Sequence, residues 1–107
     1  VLFHNIVGFC MNKNIRGIQV SRKSDFVNIG LEVDNTGELF MLQVNFIKNP
    51  LNWGITIGFP EGGSTTLLLE NGEKEYEDYP FECMGMKFNV DLYDNDNLDV
   101  YEIYIYQ

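Results

Sequence analysis

Carboxylates and tyrosines are concentrated in the second half of this 107-residue sequence. Residues 61–107 contain twelve acidic residues against Lys74 and Lys87, whereas residues 1–60 are nearly balanced in charge, and all six tyrosines follow residue 70. Carboxylates steer and pair with Lys or Arg, and a tyrosine adds rigid contact area with a polar tip. This combination favours binding to a basic protein surface.

The candidate partner-binding residues all come from this acidic, tyrosine-rich part of the chain. They are Glu70, Glu73, Glu75, Tyr76, Glu77, Asp78, Tyr79, Asp91, Tyr93, Asp94, Asp96, Asp99, Glu102, Tyr104 and Tyr106. Negative charge on one side of a protein opposes contact with nucleic-acid phosphates and anionic lipid. We therefore expect a basic protein as partner, with no direct nucleic-acid or membrane binding.

The run Asp94-Asn95-Asp96-Asn97-Leu98-Asp99 places oxygen ligands at the close spacing that calcium loops use. It departs from the EF-hand loop because Leu98 and Asp99 stand at the fifth and sixth positions, where a ligand and a glycine are needed. A polar hairpin turn is the preferred interpretation, and no metal site or cofactor is expected.

Catalytic chemistry has few candidates in this sequence. His4 is the single histidine, and Cys10 and Cys83 are the two cysteines, all in apolar segments without a nucleophile signature around them. We interpret the histidine as structural and both cysteines as free, buried thiols. Pairs of carboxylates are abundant, but a surface this acidic produces such pairs by chance. The chain is not expected to be an enzyme.

Strands must position these residues, because apolar side chains alternate with polar ones through most of the chain and no amphipathic helix is evident. The sequence predicts seven or eight short strands in an antiparallel β-sandwich or half-open barrel, with little or no helix. The length fits a single domain over residues 1–107. No apolar run reaches the roughly 20 residues of a membrane-spanning helix.

Individual segments can be assigned from the same alternation. Leu2–Cys10 and Ile15–Val20 read as two strands, and Phe26–Val33 pairs with Glu38–Phe46 across a turn at Asp34–Gly37. Trp53–Phe59 follows as a strand, and Thr65–Glu70 is interpreted as a short strand in preference to a helical turn opened by Ser64. The charged stretch Glu73–Asp78 reads as a solvated edge strand or a loop.

The last third of the chain has the clearest period of two. Phe81–Leu92 reads as one strand with Met84, Met86, Phe88, Val90 and Leu92 facing the core. After a turn at Asp94–Asn97, Leu98–Tyr106 forms the final strand. With Tyr101, Ile103 and Ile105 inward, Glu102, Tyr104 and Tyr106 are expected to face solvent.

In size, acidity and β-rich pattern, with the carboxylates and tyrosines named above, the chain resembles immunity proteins of bacterial polymorphic toxin systems, including contact-dependent growth inhibition. The resemblance is one of type and rests on no shared motif. It implies a cytoplasmic protein that neutralises a nuclease toxin domain in a 1:1 complex. Its carboxylates would occupy the place where the toxin binds RNA or DNA phosphate.

Two alternatives remain open from the sequence. A phage-encoded anti-CRISPR or anti-restriction inhibitor would use the same carboxylates to mimic nucleic-acid phosphates. A lectin-like or calcium-binding β-sandwich would instead stack Trp53 and surface tyrosines on sugar and hold an ion in the 94–99 run.

Overall fold

The computed structural model describes residues 16–32 and 38–107. All secondary-structure elements of the described residues are strands, as the alternating pattern predicted. They are β1 (Arg16–Ser21), β2 (Phe26–Glu32), β3 (Leu39–Lys48), β4 (Asn52–Gly58), β5 (Ser64–Glu70), β6 (Glu75–Cys83), β7 (Met86–Asn95) and β8 (Val100–Tyr106). The predicted strand Leu2–Cys10, the turn at Asp34–Gly37, His4 and Cys10 lie outside the described residues.

The strands form two four-stranded antiparallel sheets. Sheet I has the order β1-β8-β7-β6, and sheet II has the order β2-β3-β4-β5. One hydrophobic core takes side chains from both sheets, so the sheets pack face to face as a sandwich. The prediction of an all-β antiparallel sandwich is confirmed. In the described part of the chain, no helix has the length and hydropathy to span a membrane.

The alternation of β3 shows how the sequence builds the core. Phe40, Leu42 and Val44 are buried, whereas Leu39 and Met41 on the opposite face are exposed. β2 pairs with β3 in register Ile29 to Leu42, which places the apolar faces of both strands on the same side. The predicted pairing of these two strands is therefore confirmed within the described residues.

Aromatic rings join the two sheets at several heights of the core. Tyr101 of sheet I stacks between Phe46 and Trp53 of sheet II, with ring centroids 4.7 and 5.4 Å away. Phe40 contacts Phe88 edge-on at 6.2 Å. Such pairs contribute about 0.5–1.5 kcal/mol beyond the burial of their area. They fix the separation and register of the sheets.

The prediction of one continuous strand over Phe81–Leu92 is wrong. Met84 and Gly85 have φ angles of 54° and 74°, and they form the two-residue turn between β6 and β7. Met84 is consequently exposed rather than buried. Inward side chains have odd numbers in β6 (Phe81, Cys83) and even numbers in β7, and the apolar Met84 in the turn extended the even-numbered series of β7 by one position.

The end of the chain also differs from the prediction. β7 continues through Asn95, the turn occupies residues 96–99, and β8 begins at Val100. Glu102 and Tyr104 are buried, so the expectation that they face solvent is wrong. β8 lies between β1 and β7, and its apolar and aromatic residues on both faces are typical of a strand covered on both sides.

Candidate functional site

A β-bulge in the edge strand β6 organises the acidic residues of sheet I. Tyr76 lies opposite Leu92 and Tyr79 lies opposite Val90, which leaves Glu77 and Asp78 facing the single residue Asp91. Asp78 adopts a φ of 59°, uncommon for a residue other than glycine. The bulge brings two carboxylates of β6 beside that of Asp91, on the face of sheet I that points away from the core.

The Asp91 carboxylate fills the gap that the bulge leaves in the strand ladder. Its Oδ1 accepts the backbone N–H of Asp78 at 2.8 Å and the hydroxyl of Tyr106 at 2.9 Å. Half-burial raises the pKa of Asp91, these two hydrogen bonds lower it, and the charges of Asp78 and Glu77 add to the increase. Asp91 is thus a positioning group beneath more exposed neighbours.

Two phenols hold the carboxylates of the bulge. Tyr93 donates its hydroxyl to Oε2 of Glu77, and Tyr106 donates to Oδ1 of Asp78 as well as to Asp91. Burial raises the pKa of Tyr106, and its hydrogen bond to Asp78 raises it further, so the phenol stays protonated and donates. Tyr93 is itself buried. These tyrosines orient the carboxylates from below the surface.

We call Glu75, Glu77, Asp78 and Asp91 the acidic face. Glu75 lies opposite Tyr93 and shares this side of sheet I. Glu75, Glu77 and Asp78 are exposed. Among the described residues, every ion pair uses Arg22, Lys48 or Lys74, and none includes a member of the acidic face. Within the described residues, no cation therefore neutralises the acidic face.

A second acidic group lies at the turn between β7 and β8, where two cations of the same molecule neutralise it in part. Arg22 binds Asp94 and Asp96 and approaches Asp99 at 3.6 Å. Lys74 lies 3.7 Å from Asp94 and 3.1 Å from Asp96. Hydrogen bonds from Arg22 and then Lys74 lower the pKa of Asp96. These carboxylates are already paired, unlike those of the acidic face.

The same ion pairs bear on the calcium interpretation of residues 94–99. The guanidinium of Arg22 and the ammonium of Lys74 occupy the space beside the carboxylates that a cation would need. The described residues contain no group of three or more His, Cys, Asp or Glu side chains that could hold a metal ion.

Glu102 is a buried carboxylate held by neutral donors, with 3% of its surface exposed. Oε2 accepts the amide of Gln19 at 3.0 Å and the hydroxyl of Tyr104 at 3.1 Å, and Oε1 accepts the amide of Asn95 at 3.3 Å. The hydrogen bonds compensate part of the cost of burying its charge. Glu102 and Tyr104 thus support sheet I instead of being displayed to a partner.

The remaining candidates lie away from the acidic face. Glu73 accepts the backbone N–H of Glu70 at 2.8 Å in the turn between β5 and β6. Tyr79 packs edge-on against Tyr76, and its hydroxyl donates to the carbonyl of Thr66 at 2.9 Å. Tyr79 therefore links β6 to β5 across the open side of the sandwich. The fifteen candidates form several distinct groups.

Sequence reasoning missed the cations that neutralise the turn, because Arg22 is 72 residues from Asp94 and no local pattern connects them. It also missed the bulge, which has no glycine to mark it.

Cys83 is a free, buried thiol as predicted, and burial raises its pKa to about 11.

The chain was compared with protein-family models, with curated proteins and with solved structures, and none of the three comparisons finds a match.

Proposed function

We propose that this chain is a small acidic inhibitor that binds a basic protein through the acidic face, as an immunity protein binds a nuclease toxin domain. The observation that carries the proposal is the set of carboxylates on β6 and β7 that are free of ion pairs with the described residues, while those of the neighbouring turn pair with Arg22 and Lys74. Unpaired carboxylates held in fixed positions suit a basic partner, because little ordering is required on binding.

The proposed mechanism is competition for the partner's cations. Glu75, Glu77 and Asp78 would pair with the Lys or Arg side chains by which a nuclease holds the phosphates of its substrate. Hydrogen bonds from Tyr93 and Tyr106 fix two of these carboxylates before the partner arrives. The complex would be 1:1 and would exclude RNA or DNA without any chemical step on the inhibitor.

The direct test uses purified ribonuclease and deoxyribonuclease toxin domains in cleavage assays with and without this chain. We expect stoichiometric inhibition of a basic toxin domain by the wild type. The triple variant Glu75→Lys, Glu77→Lys, Asp78→Lys should lose about 2–3 kcal/mol of binding, or roughly 30- to 150-fold in Kd. Circular dichroism checks that the variant retains its strand content.

A charge-matched control carries Asp25→Lys, Glu38→Lys and Glu61→Lys, three exposed acidic residues outside the acidic face. It changes the net charge by the same amount and should inhibit nearly as well as the wild type. If the acidic-face variant protects as well as the parent, or if both triple variants weaken equally, the acidic face is not the binding site.

Ionic strength provides a second test of the same proposal. Long-range attraction between the acidic face and a basic partner speeds encounter, and salt screens it over a Debye length of about 8 Å at physiological strength. The association rate should therefore fall as NaCl rises from about 0.05 to 0.5 M. An association rate indifferent to salt contradicts an electrostatic mode of binding.

A further inference from the structure

The outward face of sheet II differs in character from the acidic face. It carries four of the large apolar side chains that are exposed to solvent: Phe26, Leu39, Met41 and Leu68. Each lies on the side of its strand opposite to the core residues, and Met41 and Leu39 share that side of β3. A monomer usually exposes such residues singly, whereas here they share one sheet face.

Charge is nearly absent from this outward face within the described residues. Across the middle of the sheet, the exposed or half-buried positions are amides and hydroxyls, namely Asn28, Gln43, Asn45, Thr56 and Thr66. In the part of the chain that the structure describes, its acidic residues lie at the ends of the face, Glu32 on β2 opposite Leu39 and Glu70 on β5. In a chain of net charge -9, this is a surface that a similarly charged molecule could approach.

The order of side chains along β3 suits contact with an identical face. Leu39 and Met41 lie at one end of its outward row, Gln43 and Asn45 in the middle, and Ile47 at the other end. A two-fold axis across the strands, between Gln43 and Asn45, would place Met41 of one copy over Ile47 of the second. The same axis would bring Gln43 against Asn45, and both amides donate and accept hydrogen bonds.

We propose that the outward face of sheet II is a homodimer interface that packs two copies of this chain back to back. A two-fold interface brings each surface against itself, so it requires self-complementary groups and excludes a cluster of one charge sign. The outward face of sheet II meets this requirement and the acidic face does not. A homodimer of this kind leaves the two acidic faces pointing away from each other.

The size of the face sets the expected strength. Three of its strands have seven residues. Four strands about 4.8 Å apart, with about 3.3 Å per residue, cover a flat area of roughly 19 by 23 Å, or about 440 Å². The uneven surface of the side chains adds to this value. Stable interfaces bury about 800 Å² per partner, so this homodimer belongs at the small, weak end of the range. We expect a Kd on the order of 10–100 µM.

The proposal is independent of the proposed function, because it concerns the opposite face of the sandwich. It is tested on the full chain by light scattering after size exclusion and by sedimentation at chain concentrations from about 5 to 500 µM, which bracket that Kd. We expect the weight-average mass to rise from the 12.4 kDa of one chain towards twice that value.

Two variants place a charge on the interface, Met41→Glu and the nearly isosteric Gln43→Glu. Each should remain at 12.4 kDa over the whole concentration range. The carboxylate of Gln43→Glu would lie close to its own copy across the two-fold axis, and that of Met41→Glu would be buried without a partner over Ile47. The matched control is Leu51→Glu, which adds the same charge at an exposed apolar residue in the loop between β3 and β4 and should still dimerise.

A wild type that stays monomeric throughout the range would overturn the proposal. So would a wild-type mass increase that persists in Gln43→Glu, or one that disappears equally in Leu51→Glu. Because Gln43→Glu changes a single exposed polar atom, it keeps the test decisive even if Met41→Glu fails to fold. Binding of a basic partner by the monomeric variant would support the proposed function while leaving this result unchanged.

Discussion

Asp91 accepts the backbone N–H of Asp78 at 2.8 Å, so a side chain replaces the ladder hydrogen bond that the bulge in β6 removes. The same oxygen accepts the hydroxyl of Tyr106 at 2.9 Å. One carboxylate therefore ties together three neighbouring strands of sheet I, because Asp78, Asp91 and Tyr106 belong to β6, β7 and β8. Its removal should affect both the fold and the acidic face.

We expect Asp91→Ala to lower the free energy of unfolding by about 1–3 kcal/mol, since it leaves a backbone donor and a phenol without their acceptor. Asp91→Asn should cost less because its amide oxygen can still accept. Urea unfolding followed by circular dichroism measures both values. Asn89→Ala, two residues away on the same face of β7, is the control and should stay within about 0.5 kcal/mol of the wild type.

The ionisation of Asp91 should make a measurable contribution to the pH dependence of the free energy of unfolding. Its pKa in the folded protein is raised above the ordinary value of 3.8, so the unfolded chain loses this proton first as pH rises. The contribution of Asp91 to the free energy of unfolding therefore declines from pH 3.8 upwards and levels off above its folded-state pKa. Subtracting the pH profile of the unfolding free energy of Asp91→Asn from that of the wild type cancels the contributions of the other carboxyl groups. A difference that grows more favourable to the wild type with rising pH contradicts this assignment.

The ion pairs at the turn between β7 and β8 should be visible in the titration of Asp96. Hydrogen bonds from Arg22, and then from Lys74, hold its pKa below 3.8. Arg22→Met removes the hydrogen bond that lowers the pKa of Asp96 most, so this pKa should rise towards 3.8. Carbon-detected NMR titration of the carboxyl group measures this shift. Lys23→Met removes a charge from the next residue and should leave the pKa of Asp96 nearly unchanged.

The turn between β6 and β7 offers a stabilising substitution. Met84 holds a φ of 54°, which is unfavourable for a side chain of its type, and Gly85 follows at 74°. Asn tolerates this region well, and Asn-Gly is the preferred pair for such a turn. Met84→Asn should raise the free energy of unfolding by about 1 kcal/mol. Thermal unfolding tests this, with Gly85→Ala expected to be destabilising; a loss of stability in Met84→Asn would refute the turn argument.

Much of the architecture was predictable because strand alternation is a local property. The residues of β3 alternate between the core and the outside whatever the rest of the chain does, and the pairing of β2 with β3 followed from their matching apolar faces. The failure at Met84 has the same origin. The inward set changes from odd numbers in β6 to even numbers in β7, but the apolar Met84 continues the even series, so the pattern alone did not reveal that the chain reverses there.

The sequence by itself determined an all-β chain with most of its negative charge in the last 47 residues, since composition and period are properties of the chain. Tertiary structure decided which charges are available. Arg22 reaches carboxylates 72 and 74 residues away, and Glu102 is buried beside Gln19 of β1 and Asn95 of β7, which donate hydrogen bonds to it. The bulge at Asp78 leaves a carboxylate cluster facing outwards. Charge and periodicity are local properties of the sequence, whereas ion pairing and side-chain burial depend on which strands become neighbours in the fold.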